Sequence, residues 1–199
     1  MSTHESVASV LATAEKVLGF AEAGFQDYLK RADSAESGLH NAITQGRSVT
    51  FILQNLSSKV DGWEEWYGPR QQALRDDPSA KWLVELRNRI EKQGQAGKYN
   101  NSISIDFLHS AQLAGFARNA PEGTTETFVG DPLGRSGWKV TLPDGSETVL
   151  YFSVPSHFWR TSISVDGSPE GFTLDEDLPR WFDQLRQLIA EARAEYGAN

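Results

Sequence analysis

The stretch Asp77-Pro-Ser-Ala-Lys-Trp-Leu-Val-Glu-Leu-Arg-Asn-Arg-Ile-Glu-Lys-Gln-Gly94 has a start signal, a stop signal and one polar cluster between them. Asp77 is suited to accept hydrogen bonds from the free N–H groups of a first helical turn. Pro78 fits the first helical position, where its missing N–H costs nothing. Gly94 and Gly97 end the segment, because glycine enters the left-handed conformation without a Cβ penalty. Trp82, Leu83, Leu86 and Ile90 fall on one narrow face and predict the core side. Arg87 lies at the edge of that face with Glu91, while Asn88 and Lys92 stack on the polar side. Glu85–Arg89 and Asn88–Lys92 have the spacing of surface pairs, each worth a few tenths of a kcal/mol.

Working outward toward the N-terminus, apolar residues from Val7 to Leu29 recur at helical spacing, predicting a helix that begins near Thr3. Gly19 and Gly24 predict close approach of a second helix. Asp33-Ser34-Ala35-Glu36 has the spacing of a capping box. It opens a second stripe through Leu39, Ile43, Gly46, Val49, Leu53 and Val60. Two long helices joined by so short a link form an antiparallel hairpin. Arg47 falls inside the second helix beside Gly46 and reads as a bundle-edge charge. Asp61-Gly62-Trp63-Glu64 starts a short segment, Trp63–Tyr67, which Gly68-Pro69 is expected to stop. Its three large rings suit a lid over the end of a bundle.

After Gly97 the period changes to two. Ser102–Asp106, Trp138–Leu142, Glu147–Val154 and Phe158–Val165 are rich in β-formers, with Pro143-Asp-Gly-Ser146 as a hairpin turn. Residues 120–134 read as loop. A last helix, starting near Thr173 or Asp175, carries Leu178, Trp181, Phe182, Leu185, Leu188, Ile189 and Ala192 on one face. That face needs the bundle to cover it. The expected fold is therefore α+β: a mainly α-helical up-down bundle of about four long helices plus a short one. A small antiparallel β-meander of three to five strands is inserted before the C-terminal helix. The chain reads as a single domain, 1–199, with a helical core over 1–97, a β-rich insertion over 98–172 and a returning helix over 173–199.

The formal net charge of −8 opposes a general electrostatic grip on nucleic acid. The chain has no cysteine, which removes disulfides, zinc-thiolate sites and thiol catalysis. No apolar run reaches the roughly 20 residues that span a bilayer. The first residues lack the basic-then-apolar order of a signal peptide, so a cytoplasmic location is expected. No phosphate-binding glycine motif is present. His4, His40, His109 and His157 are scattered without metal-ligand spacing, so no cofactor or metal is expected.

Arg47-Ser-Val-Thr-Phe-Ile-Leu-Gln54, Trp66-Tyr67, Asp77-Pro78, Glu85-Leu-Arg-Asn88 and Lys92 follow in an order that resembles bacterial HEPN-like helical-bundle proteins, over about the first half of the chain. The catalytic members of that superfamily are metal-independent endoribonucleases, often toxins or immunity effectors, with an Arg–polar–three residues–His motif repeated across a dimer cleft. Carried over by position, Arg87 takes the place of the Arg, Asn88 of the polar residue and Lys92 of the His. Lysine, with an ordinary pKa of about 10.4, is a poor proton shuttle at neutral pH without strong desolvation. The resemblance thus implies a non-catalytic dimerisation or partner-binding protein of a defence or toxin–antitoxin system, with a homodimer or a protein partner expected. It allows as an alternative an RNase using Arg87, Asn88 and Lys92, acting on RNA. A third reading makes the chain an unrelated helical-plus-sheet binding protein in which Arg87 is structural, paired with Glu91 or a bundle carboxylate. Arg87 and Lys92 are about 140° apart around the helix axis, so one helix cannot easily aim both at one phosphate.

Overall fold

A computed structural model describes residues 6–104, 115, 118–154 and 160–197. The fold is α+β and mainly helical. Helix α1 (Val7–Leu29) is capped by Ser6, whose hydroxyl accepts the Ser9 N–H at 3.2 Å; Thr3 lies outside the described residues. Helix α2 (Ala35–Gln54) runs back along α1 and ends in a single 3-10 turn, Asn55–Ser58. Its N-cap is Ser34 rather than Asp33, and no side chain caps it. The two helices meet at Gly24 and Gly38. A Cβ on Gly24 would lie 2.7 Å from the Gly38 carbonyl oxygen, and one on Gly38 would lie 2.6 Å from that of Gly24. Backbone therefore packs on backbone there. Gly19, by contrast, faces open space and has no packing role.

Helix α3 (Trp63–Asp76) is longer than the sequence suggested, because it runs straight through Gly68 and Pro69. An internal proline removes one helical hydrogen bond and costs about 3 kcal/mol. The offset comes from tertiary contacts. Trp63 meets Tyr196 at 5.9 Å, Trp66 meets the same ring edge-on at 5.7 Å, and Arg70 bonds Glu191 at 2.7 Å. Helix α4 (Pro78–Gln93) follows at once. Asp77 accepts from the N–H groups of Ser79 (2.8 Å) and Ala80 (3.2 Å), and Gly94 ends the helix at φ +70°. Trp82, Leu83, Leu86 and Ile90 are all buried.

The β-rich insertion forms two sheets rather than one. Strands β1 (Tyr99–Ser104) and β5 (Arg160–Val165) pair antiparallel, with Tyr99 opposite Val165. They are the two ends of the insertion, brought together where the chain leaves and re-enters the bundle, and Ile163 and Val165 enter the main core. Beyond them β2 (Thr124–Phe128), β3 (Ser136–Thr141) and β4 (Glu147–Phe152) form a three-stranded meander. Strand β2 falls where loop was expected; its Thr-Thr-Glu-Thr-Phe sequence has β-formers but no apolar alternation to reveal it. The expected strand residues 105–106 and 158–159 lie outside the described residues.

Helix α5 (Leu174–Tyr196) returns to the bundle and packs on α1 and α2. Leu178, Trp181, Phe182, Leu185, Leu188, Ile189 and Ala192 are buried, and each large apolar side chain removed from water contributes about 1.5–3 kcal/mol. The Trp181 ring fills the space a side chain at position 46 would need: a Cβ there would come within 2.8 Å of its Cη2. No helix among the described residues is long and apolar enough to cross a membrane.

Candidate anion-binding site

The N-terminus of α4 and one of its flanks behave differently. The N-terminus is closed by hydrogen bonds to α5. Asp77 accepts from Gln184 at 2.8 Å, and the Ser79 hydroxyl donates to the buried Asp177 at 2.8 Å. Asp177 also takes the Thr173 N–H at 2.7 Å and pairs with Arg180. Burial opposes the charge on Asp77, but the donors Gln184, Ala80 and Ser79 outweigh it and hold its carboxyl below the ordinary value. The carboxylates here are satisfied by donors of the same chain, so this corner reads as structural, though the Thr173 hydroxyl is buried without a partner.

The flank of α4 that faces α2 and α3 is different. A cavity of about 440 Å³ opens there, walled by Tyr67, Leu74, Ala80, Val84 and Trp181. Trp181 reaches it because Gly46 lets α5 come close to α2. Three cations line the same space: Arg47 from α2, Arg75 from α3 and Lys81 from α4, against one carboxylate, Glu85. Among the described residues, none of these three cations forms an ion pair. Arg47 donates to the Thr50 hydroxyl, and its guanidinium lies 4.2 Å from the centre of the exposed Phe51 ring. Burial holds the Arg47 pKa below its ordinary value; Tyr67 acts against this, and Arg87 and Arg75 add to it. Three cations, one of them half-buried, around a single carboxylate give the lining a net positive charge that favours an anion.

Of the residues singled out in the sequence, Arg87 joins this region from the side. It pairs with Glu91 at 2.6 Å, bonds the Asn88 side chain at 3.2 Å and lies 5.9 Å from the Phe51 ring. The structure thus brings Arg87 and Arg47 to the same phenylalanine ring. It does not bring Lys92 to them: Lys92 is exposed in the last turn, with no bond to Arg87 among the described residues. The surface pair expected for Arg89 is replaced by other contacts. Arg89 lies over Trp82 at 4.9 Å and donates to the carbonyls of Ala96 (3.0 Å) and Asp166 (3.1 Å), so it ties α4 to the turn after β5. Sequence reasoning missed Arg75 and Lys81. Arg75 had no helix to sit on once α3 was ended at Tyr67, and Lys81 looked like any polar-face lysine. Of the histidines, His40 is half-buried and burial lowers its pKa; His4, His109 and His157 lie outside the described residues.

Comparison with known proteins changes the assignment suggested by the motif order. The family model described as bacteriophage lambda protein ea47 matches residues 7–122. Protein ea47 of Escherichia phage lambda is 32% identical over 65 residues, which cover 32% of this chain and 16% of that protein. No solved structure matches the chain. The resemblance to HEPN-like proteins is thereby overturned. The ordered set of short polar and aromatic motifs that suggested it is a pattern many helical bundles can carry by chance. The roles it implied for Arg87, Asn88 and Lys92, and the homodimer, no longer have it behind them. With the family model covering α1 to α4 and β1, more than half of its length, the chain belongs to the family of bacteriophage lambda protein ea47.

Proposed function

We propose that this protein is a binding module that captures an anionic ligand in the cavity between α2, α3, α4 and α5. The observation that carries this reading is the set Arg47, Arg75 and Lys81, none paired with a carboxylate among the described residues, around apolar walls. The chain as a whole carries −8, so a local excess of cations runs against its average. A cavity of about 440 Å³ is in the range that holds a small organic molecule or a single anchoring side chain. The three cations come from three different helices, so the packing of the bundle assembles the site.

The test is titration with anilinonaphthalene sulfonate, an aromatic anion whose fluorescence rises on binding. One saturable site per chain is expected, weakened by salt and lost in Arg75→Glu and Lys81→Glu. Both substituted side chains are exposed, so the fold is retained, which circular dichroism checks. Equal binding by both variants would remove the cationic rim from the site and end this reading.

A further inference from the structure

The charge and shape of the cavity narrow its ligand, on the basis of the binding reading above. The geometry points to a phosphomonoester carried on a flat, mostly apolar ring, bound as a single small molecule. Three cations against one carboxylate leave the lining with two uncompensated positive charges. A phosphomonoester brings close to two negative charges on one group at neutral pH. It leaves the rest of its molecule free to be apolar, whereas a dicarboxylate distributes its charges over the body that must enter. Arginine matches phosphate with a planar fork of donors and lysine serves as a point charge; Arg47, Arg75 and Lys81 supply both kinds. The remaining walls, Leu74, Val84 and Trp181 among them, offer contact and little hydrogen bonding, which suits a ring. Arg47 is already held in place by Thr50 and Phe51, so less side-chain freedom is lost when the anion arrives. A long polyanion fits poorly, because the surface around the cavity belongs to a chain of net charge −8.

The experiment is isothermal titration of the full chain with AMP, phenyl phosphate, adenosine, inorganic phosphate and a single-stranded RNA octamer bearing no terminal phosphate. AMP and phenyl phosphate are expected to bind at least about tenfold more tightly than adenosine or phosphate, the scale of one charge-assisted hydrogen bond. Arg75→Glu should weaken both by a similar factor, and Val84→Phe, which fills the cavity, should weaken them while leaving phosphate unchanged. Phosphate binding as tightly as AMP and phenyl phosphate would overturn the ring requirement and leave the anion site standing. Val84→Phe without effect on AMP or phenyl phosphate would likewise take the ring out of the cavity. The octamer binding more tightly than AMP would overturn the small-ligand class. No binding of any compound, together with no binding of anilinonaphthalene sulfonate, would bring down both this inference and the reading it rests on.

Discussion

Arg31 and Arg47 share a local picture and differ in what surrounds it. Each is a half-buried arginine laid against an aromatic ring: Arg31 lies 3.8 Å from the Tyr28 ring and Arg47 4.2 Å from the Phe51 ring. Arg31 then pairs with Asp175 from α5, and that carboxylate also accepts the Ile163 N–H at 3.2 Å. One guanidinium thereby ties α1, β5 and α5 together, from a residue held at φ +51°. Burial raises the Asp175 pKa against the pull of Arg31 and of that N–H. Arg47 shares a cavity with Arg75, Lys81 and one carboxylate, Glu85, and forms no ion pair among the described residues. The first arrangement has its carboxylate within the chain, although the second guanidinium nitrogen, Nη1, and the Tyr28 hydroxyl stay without a hydrogen-bond partner. The second, on the binding reading proposed above, is completed by an added anion. A buried arginine therefore identifies a site through its missing partner rather than through its burial.

The comparison breaks if the two arginine sites respond alike to substitution. Asp175→Ala leaves Arg31 buried without its carboxylate and should cost about 3 kcal/mol, the lower end for breaking a buried pair; urea denaturation measures it. A loss under about 1 kcal/mol, within the range of an exposed pair, would show that Arg31 is solvated and the contrast with Arg47 is false. Gly38→Ala tests the seam that holds the same side of the molecule. Its new Cβ would meet the Gly24 carbonyl oxygen and the Tyr28 nitrogen, at 2.6 and 2.8 Å. The helices must part, at about 2 kcal/mol of overpacking, visible as a lower urea midpoint.

Asp77→Ala removes the cap of α4 and the acceptor of Gln184, and should cost about 1 kcal/mol. Because the folded-state pKa of Asp77 lies below its ordinary value of 3.8, its contribution is complete above that value. It is lost as pH falls through the lower folded-state value. The difference between wild type and variant should therefore be flat near neutrality and shrink under acid. A difference that grows on acidification would contradict the assigned bonds. Arg47→Met should leave stability within about 0.5 kcal/mol. The Thr50 hydroxyl keeps its own bond to the Arg47 carbonyl at 3.0 Å, and a cation is removed from beside two others. The same variant should lose anilinonaphthalene sulfonate binding. A large stability loss would make Arg47 structural, like Arg31.

Much of the fold was legible because its signals are local. The α4 caps at Asp77, Pro78 and Gly94 act within one turn, and the buried faces of α1, α4 and α5 follow from a period of 3.6 residues. Failures arose where distant contacts outweighed local preference. Gly68-Pro69 should stop a helix, and α3 continues because Trp63, Trp66 and Arg70 are held by the end of α5. Strand pairing was equally out of reach: alternation marks a strand but not its neighbour, so β1 and β5 could not be separated from the meander. The motif order around Arg87 and Lys92 misled for the same reason, since order along the chain does not specify which side chains share a space.

The sequence by itself determined the helices, their apolar faces, the return of the last helix to the bundle and an acidic average charge. These depend on propensity, periodicity and composition, which neighbouring residues express alone. Only the tertiary structure decided that Arg47, Arg75 and Lys81 line one cavity and that Arg87 comes near the Phe51 ring beside Arg47. Those residues come from three helices, and their like charges are brought together by apolar packing elsewhere in the bundle, chiefly the closeness of Gly46 to Trp181. The energy that assembles the site is thus separate from the charges that define it.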